Sequence, residues 1–105
     1  MSELITTGIW LVKDGEEDAF VQAWTSFAEW AVTHPGSTTL RLGHDRNNAS
    51  RFISFGPWNG ADTAHAWKAQ SDFRERMARV QQHVSGFEPI ELDVLAAVTS
   101  TVTVA

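Results

Sequence analysis

Four histidines and five tryptophans are the residues best equipped to do chemistry in this chain of 105 residues, which has no cysteine at all. Without cysteine there is no thiolate ligand, no disulfide and no sulfur nucleophile. Histidine is the side chain whose charge changes near neutral pH. His34 stands before Pro35-Gly36, where its cation complements a helix C-terminus, and His83 holds a similar helix-end position; both read as structural. His65 neighbours Trp67 on a helix and reads as solvent-facing. His44 differs, because it continues the Leu40–Leu42 face of a strand where an apolar residue is expected. A polar group on a buried face must find a partner or a pocket, so two readings of His44 stand: pocket residue, or hydrogen-bonded strand end. No two histidines have metal-ligand spacing, and no His-x-Glu or Asp-x-Asp accompanies them, so no metal is expected. Gly-x-Gly-x-x-Gly, P-loop and nucleophile-elbow patterns are missing too, which removes dinucleotides, nucleoside triphosphates and Ser-His-Asp catalysis from the reading.

The tryptophans divide by setting. Trp24 and Trp30 lie in the apolar stripe of a helix and read as core; Trp10 lies on a strand and reads as core or dimer interface. Trp58 sits in a Pro57-Trp58-Asn59-Gly60 corner at a strand end, a place that serves equally as pocket wall or as packing. Trp67, nine residues on, falls on the stripe of a second helix and reads as core. Arg74, Arg76 and Arg79 read as a solvated helix face from which one side chain can reach a cleft. Such a residue set suits a small aromatic-lined pocket for a flat, hydrophobic, phenolic ligand better than a sugar or phosphate site.

The elements that must position these residues follow from periodicity. Leu4 to Lys13 is apolar and β-branched, a strand with Leu4, Trp10 and Val12 on one face and Ile5, Ile9 and Leu11 on the other. Asp14 and Glu17 offer a capping box for a helix whose stripe is Phe20, Ala23, Trp24, Phe27, Trp30 and Ala31. His34-Pro35-Gly36 ends it. A second strand is expected over 37–44 and a third from Arg51 to Phe55 or Gly56, joined by Asp45-Arg46-Asn47-Asn48. A broken helix or two helices should follow from Ala61 to His83, with caps at Asn59 and Ser71-Asp72. Gly86 ends that segment, and a fourth strand runs from Phe87 to Val98 with Ile90, Leu92 and Val94 on one face.

The order β-α-β-β-α-β is the ferredoxin-like split βαβ plan, an α+β fold with helices on one side of a four-stranded antiparallel sheet. A first strand apolar on both faces calls for a second layer, and a second copy of the chain is the simplest one. A homodimer is therefore expected, with the alternating tail from Thr99 to Val104 available to pair across it. Residues 1–105 make one domain, the last eight (98–105) being tail. A net charge of −5 with two lysines excludes electrostatically driven nucleic-acid binding. The apolar runs are too short to cross a bilayer and the start lacks a basic signal region, so a cytoplasmic protein is expected.

From about Ile5 to Val98 the pattern resembles the antibiotic biosynthesis monooxygenase family of dimeric α/β barrels. The likeness rests on His34-Pro35-Gly36, on Arg51-Phe52-Ile53-Ser54-Phe55-Gly56-Pro57-Trp58, on the Asn59 to Trp67 helix and on Ser71-Asp72-Phe73. For the quinone-forming members, the resemblance implies oxidation of a small aromatic, polyketide-like substrate by dioxygen with no cofactor. It puts Trp58 at the family's pocket tryptophan and His44 at a histidine fourteen residues earlier. Ser54 stands where the family has asparagine, Ala64 where it has tyrosine, and Arg79 fits a helix arginine better than Arg76. On this reading His44 orients or deprotonates substrate, Trp58 walls the pocket, Arg79 stabilises a phenolate, and Ser54, Trp67, Phe73 and Met77 contact the ligand. A non-catalytic small-molecule-binding module is the alternative. A haem-degrading reading ranks behind both: Trp67 matches that branch, but its axial histidine falls on Met77.

Register decides whether the proposed site can exist. His44 shares a face with Ser54 only if paired positions on strands two and three sum to an even number. A two-residue turn at Asn47-Asn48 would instead pair His44 with Arg51.

Overall fold

The computed structural model describes residues 3–102. Its elements are β1 (Leu4–Val12), α1 (Glu17–Ala31), β2 (Arg41–His44), β3 (Arg51–Trp58), α2 (Ala61–Lys68), α3 (Ser71–Gln81) and β4 (Val84–Asp93). The strands form one antiparallel sheet in the order β2-β3-β1-β4. This is the expected ferredoxin-like plan.

The even-numbered residues of β1 face the helices. Leu4, Trp10 and Val12 are buried there with Phe52 and Trp58 of β3, which the register places opposite Trp10 and Leu4. From α1 come Phe20, Trp24, Phe27 and Ala31, the predicted stripe. Trp10, Trp58, Phe20 and Val80 are the largest fully buried side chains; removing each from water is worth about 1.5–3 kcal/mol. The odd-numbered face is different. Leu11, Phe55 and Leu92 are each more than 40% exposed, and Ile5, Ile9, Ile53 and Ile90 share that face by alternation. No described residue covers it.

Several predicted boundaries move, each for a local reason. The capping box does not form. Lys13 O accepts from the Glu16 N–H at 3.0 Å, closing a turn through Asp14 and Gly15, and α1 begins at Glu17 with no side-chain cap. β2 begins at Arg41 rather than residue 37. Ser50 O accepts the Val12 N–H, so even residues of β3 bond to β1 and odd ones face β2. Pro57, an odd position, has no N–H to give to Thr39, and the ladder stops at Arg41↔Phe55 with only an isolated Ser37↔Trp58 bridge beyond. β3 can therefore run through Pro57 to Trp58, because its bonds to β1 are untouched.

The two predicted helices do form, but neither Asn59 nor Ser71 caps. Gly60 and Gln70 precede them without side-chain bonds, and Thr63 Oγ1 instead donates to the Asn59 and Gly60 carbonyls at 3.1 and 2.9 Å. β4 starts earlier than predicted, at Val84, and Gly86 pairs with Leu11 inside it rather than ending a helix. It stops at Asp93, so Val94 lies beyond the strand. From 94 to 102 there is no regular structure, and Leu95, Val98 and Val102 are exposed. Thr103 and Val104 of the predicted tail lie outside the described residues.

Candidate functional site

The β2–β3 register sums to 96: Leu42 pairs with Ser54, and His44 with Phe52. The hairpin spans 45–50 instead of two residues, with Asp45 N donating to Arg51 O at 2.9 Å. His44, Ser54 and Trp58 accordingly share the helix-facing side of the sheet. Sharing a face does not bring them together, because they lie at different distances along it.

A cleft of about 240 Å³ opens between the sheet and the helices. Its floor is Thr6, Gly8 and Trp10 of β1 and Ser54 of β3; Trp24, Phe27, Trp67, Phe73 and Met77 supply helical walls, and Leu40, Phe87 and Pro89 close the sides. The walls are tightly aromatic. Trp67 meets Phe73 edge-on with centroids 5.0 Å apart and stacks on Trp58 at 4.6 Å; Trp10 stacks on Phe87 at 4.0 Å. Ring pairs of this kind add about 0.5–1.5 kcal/mol beyond area and stiffen the wall.

Polar groups at the cleft are few. Ser54 Oγ accepts from Trp10 Nε1 at 2.9 Å, and Thr6 Oγ1 from Trp58 Nε1 at 3.1 Å. Trp67 Nε1 is buried with no hydrogen-bond partner. Lys68 and Gln81 stand at the rim. Lys68 Nζ donates to Glu91 Oε2 at 2.7 Å, and His65 Nε2 lies 3.2 Å from the other carboxylate oxygen. Those contacts, Lys68 first and His65 second, hold the Glu91 carboxyl below its ordinary value.

Gly8 makes the floor possible. A Cβ there would lie 2.9 Å from Ser54 Oγ and 3.0 Å from Trp10 Nε1, on top of their hydrogen bond. Thr6, Gly8, Leu40 and Phe87 were not singled out by sequence reading. The available signal was the Thr-Thr-Gly interruption of an otherwise apolar β1, whose even positions carry the core.

All four predicted ligand contacts, Ser54, Trp67, Phe73 and Met77, line this one cleft. The other three predicted site residues go elsewhere. Trp58 is 1% exposed and lies behind Trp67 rather than in the lining, so of its two sequence readings the packing one describes its position. His44 lies at the far end of the sheet face. It stacks on Phe52 with centroids 4.2 Å apart, its Nε2 donates to Ala49 O at 2.8 Å, and it borders a separate groove with Glu17, Asp18 and Leu42. Arg79 points outward to Glu75 at 2.7 Å, while Arg76 lies 4.9 Å over the Trp30 ring. The remaining histidines are in structural settings. His34 Nδ1 is 3.2 Å from Trp30 O and from Ala31 O, and His83 Nδ1 is 3.0 Å from Glu16 Oε1. Among the described residues no three His, Asp or Glu side chains gather as a metal site, and no helix is long and apolar enough to cross a membrane.

Solved structures share this architecture. A cofactor-independent oxygenase from Streptomyces nogalater, SnoaB, superposes with a TM-score of 0.80 at 17% identity, covering 96% of this chain and 98% of its own. A Nitrosomonas europaea protein described as "Putative antibiotic biosynthesis monooxygenase" gives 0.78 at 17% identity, over 89% and 90% of the two chains. A conserved protein from Methanosarcina mazei gives 0.79 at 13%, over 88% and 92%. No family model matches the sequence, and no curated protein does. The fold is thus that of antibiotic biosynthesis monooxygenase structures, as the motifs suggested; identities this low speak to fold alone.

Proposed function

We propose that this protein is a cofactor-independent monooxygenase that oxidises a small, flat, phenolic aromatic with dioxygen to a quinone. The observation that carries the reading is the cleft itself: a ring-lined space of about 240 Å³ whose floor offers hydroxyl groups. Its partial enclosure favours an aromatic guest over a sugar or phosphate, since among the described residues Lys68 is the one cationic side chain lining it and is already paired with Glu91. The fold shared with a protein described as a cofactor-independent oxygenase supports the same chemistry.

In that chemistry a substrate with an acidic C–H beside its phenol loses a proton to give a resonance-stabilised carbanion. One electron passes to dioxygen, the radical pair joins as a peroxide, and loss of water leaves a carbonyl. One oxygen atom enters the product and the other leaves as water. The protein's part is to hold the anion and exclude bulk solvent. Ser54, Trp67, Phe73 and Met77 are the binding residues in this reading; His44 and Arg79, which do not line the cleft, have no part in it. A small-molecule-binding module without turnover is the competing reading, and the same cleft would serve it. Incubation with anthrone, following quinone absorbance and oxygen uptake, separates them: stoichiometric oxygen consumption supports the oxygenase, and tryptophan quenching without uptake supports the module.

The working unit of this reading is a homodimer in the cytoplasm. The sheet face away from the helices, with Phe55, Leu11 and Leu92 exposed and Ile5, Ile9, Ile53 and Ile90 beside them, is largely apolar and is left open by the described chain. A two-fold pairing of that face with itself buries it in both copies. Sedimentation should give roughly 23 kDa, twice the 11.6 kDa chain mass. A single 11.6 kDa species at micromolar concentration removes the dimer.

A further inference from the structure

Two hydroxyls in the cleft floor are set up in the same unusual way. Thr6 Oγ1 accepts from Trp58 Nε1 at 3.1 Å, and Ser54 Oγ accepts from Trp10 Nε1 at 2.9 Å. Both tryptophans are buried, at 1% and 2% exposure. An indole N–H can only donate, so each hydroxyl is fixed as an acceptor on its indole side and its own proton is turned away from the ring. Neither proton has an acceptor among the described residues, and both residues line the cleft.

Register sets their spacing. β1 and β3 pair Thr6 with Gly56 and Gly8 with Ser54. The hydroxyl residues therefore occupy one diagonal of a four-residue cell, and glycines occupy the other. Diagonal neighbours across an antiparallel pair stand roughly 7 Å apart. An O–H reaches an acceptor at about 2.7 Å, so donors on residues this far apart meet two separate oxygens of one ligand edge rather than sharing a single one.

We propose that Thr6 and Ser54 form a two-point donor pair that receives two neighbouring oxygens on one edge of a flat aromatic ligand. The ligand class is a fused-ring compound with peri-related or 1,3-related oxygens, such as a hydroxy-ketone or its enolate. The proposal rests on the reading of the cleft as an aromatic-binding site and adds to it which edge of the ligand faces the sheet. In the anion derived from such a compound the negative charge lies on those two oxygens, where the pair stabilises it in a water-poor setting.

The test is tryptophan quenching by three probes: naphthalene, 1-naphthol and 1,8-dihydroxynaphthalene. On the native chain the diol should bind roughly five- to ten-fold more tightly than the mono-ol, one extra hydrogen bond. Thr6→Val and Ser54→Ala should each abolish that advantage of diol over mono-ol, while Thr6→Ser retains it. Equal affinity of mono-ol and diol on the native chain overturns the pair and leaves the cleft reading standing. A diol preference that survives both variants, folded by circular dichroism, overturns it as well. If naphthalene itself fails to quench, the cleft reading falls and the pair falls with it. Should either variant unfold, the native comparison and Thr6→Ser still decide.

Discussion

The helix-facing side of the sheet carries two concave regions, and Trp24 lines both. On one side of it lies the Thr6–Ser54 cleft, ringed by Trp67, Phe73 and Met77. On the other lies the groove of His44, with Glu17 and Asp18 at the N-terminal turn of α1. The first has fixed hydroxyls and a stiff aromatic wall; the second has titratable groups but an exposed histidine already committed to Phe52 and Ala49. His44 and the ring-sized enclosure thus occur at different ends of one surface, while the cleft's own titratable groups, Lys68 and Glu91, stand paired at its rim. No histidine is among the described residues that line the cleft, so on the proposed function the ligand's own acidity and the way its anion is held carry most of the chemistry.

The comparison breaks most visibly at Trp67. Trp67→Ala removes a ring that touches Trp58, Phe27 and Phe73, and should cost about 3–5 kcal/mol in urea unfolding together with loss of aromatic binding. Retained binding of naphthalene would show that the cleft is not where rings go. A smaller effect is expected at Gly8→Ala, where the added methyl strikes the Ser54–Trp10 bond. About 1–3 kcal/mol of overpacking should appear, along with weakened probe quenching; an unchanged Tm would contradict that geometry. At the cleft rim, Glu91 has its carboxyl held below the ordinary value of 4.5 by Lys68 and His65. Its folded-state pKa lies below the unfolded one, so its contribution is whole above the unfolded value and disappears as pH falls through the folded one. Glu91→Gln should flatten the acid limb of a Tm-against-pH curve and leave the neutral region little changed. The smallest effect belongs to His44. His44→Ala should leave naphthalene affinity and any oxygen uptake within about two-fold, since the residue borders the other groove. A large loss of turnover would return the base role to His44 and join the two regions functionally.

Periodicity carried a good deal of this. The α1 stripe, the split helix and the two apolar faces of β1 were all legible because burial alternates at fixed intervals of 3.6 and 2. Ser54, Trp67, Phe73 and Met77 were expected as ligand contacts from family likeness and helix spacing, and all four line one cleft. His44 shows the limit. Two registers left open whether it shared a face with Ser54, and the observed one comes from a six-residue hairpin that local turn preferences disfavoured. Thr6 and Gly8 show another. Neither residue type announces a site until Trp58 and Trp10 arrive from other parts of the chain to bond the hydroxyls.

Sequence by itself determined the element order, the alternation of faces along each strand and the apolar outer surface, because these follow from short-range alternation and from chirality. Only the tertiary structure decided which side chains share a cavity, where β2 ends against Pro57, and which hydroxyls keep a proton to give. Those depend on register and on contacts between residues more than forty positions apart, such as Trp10 with Ser54 and Thr6 with Trp58, and no local pattern encodes them.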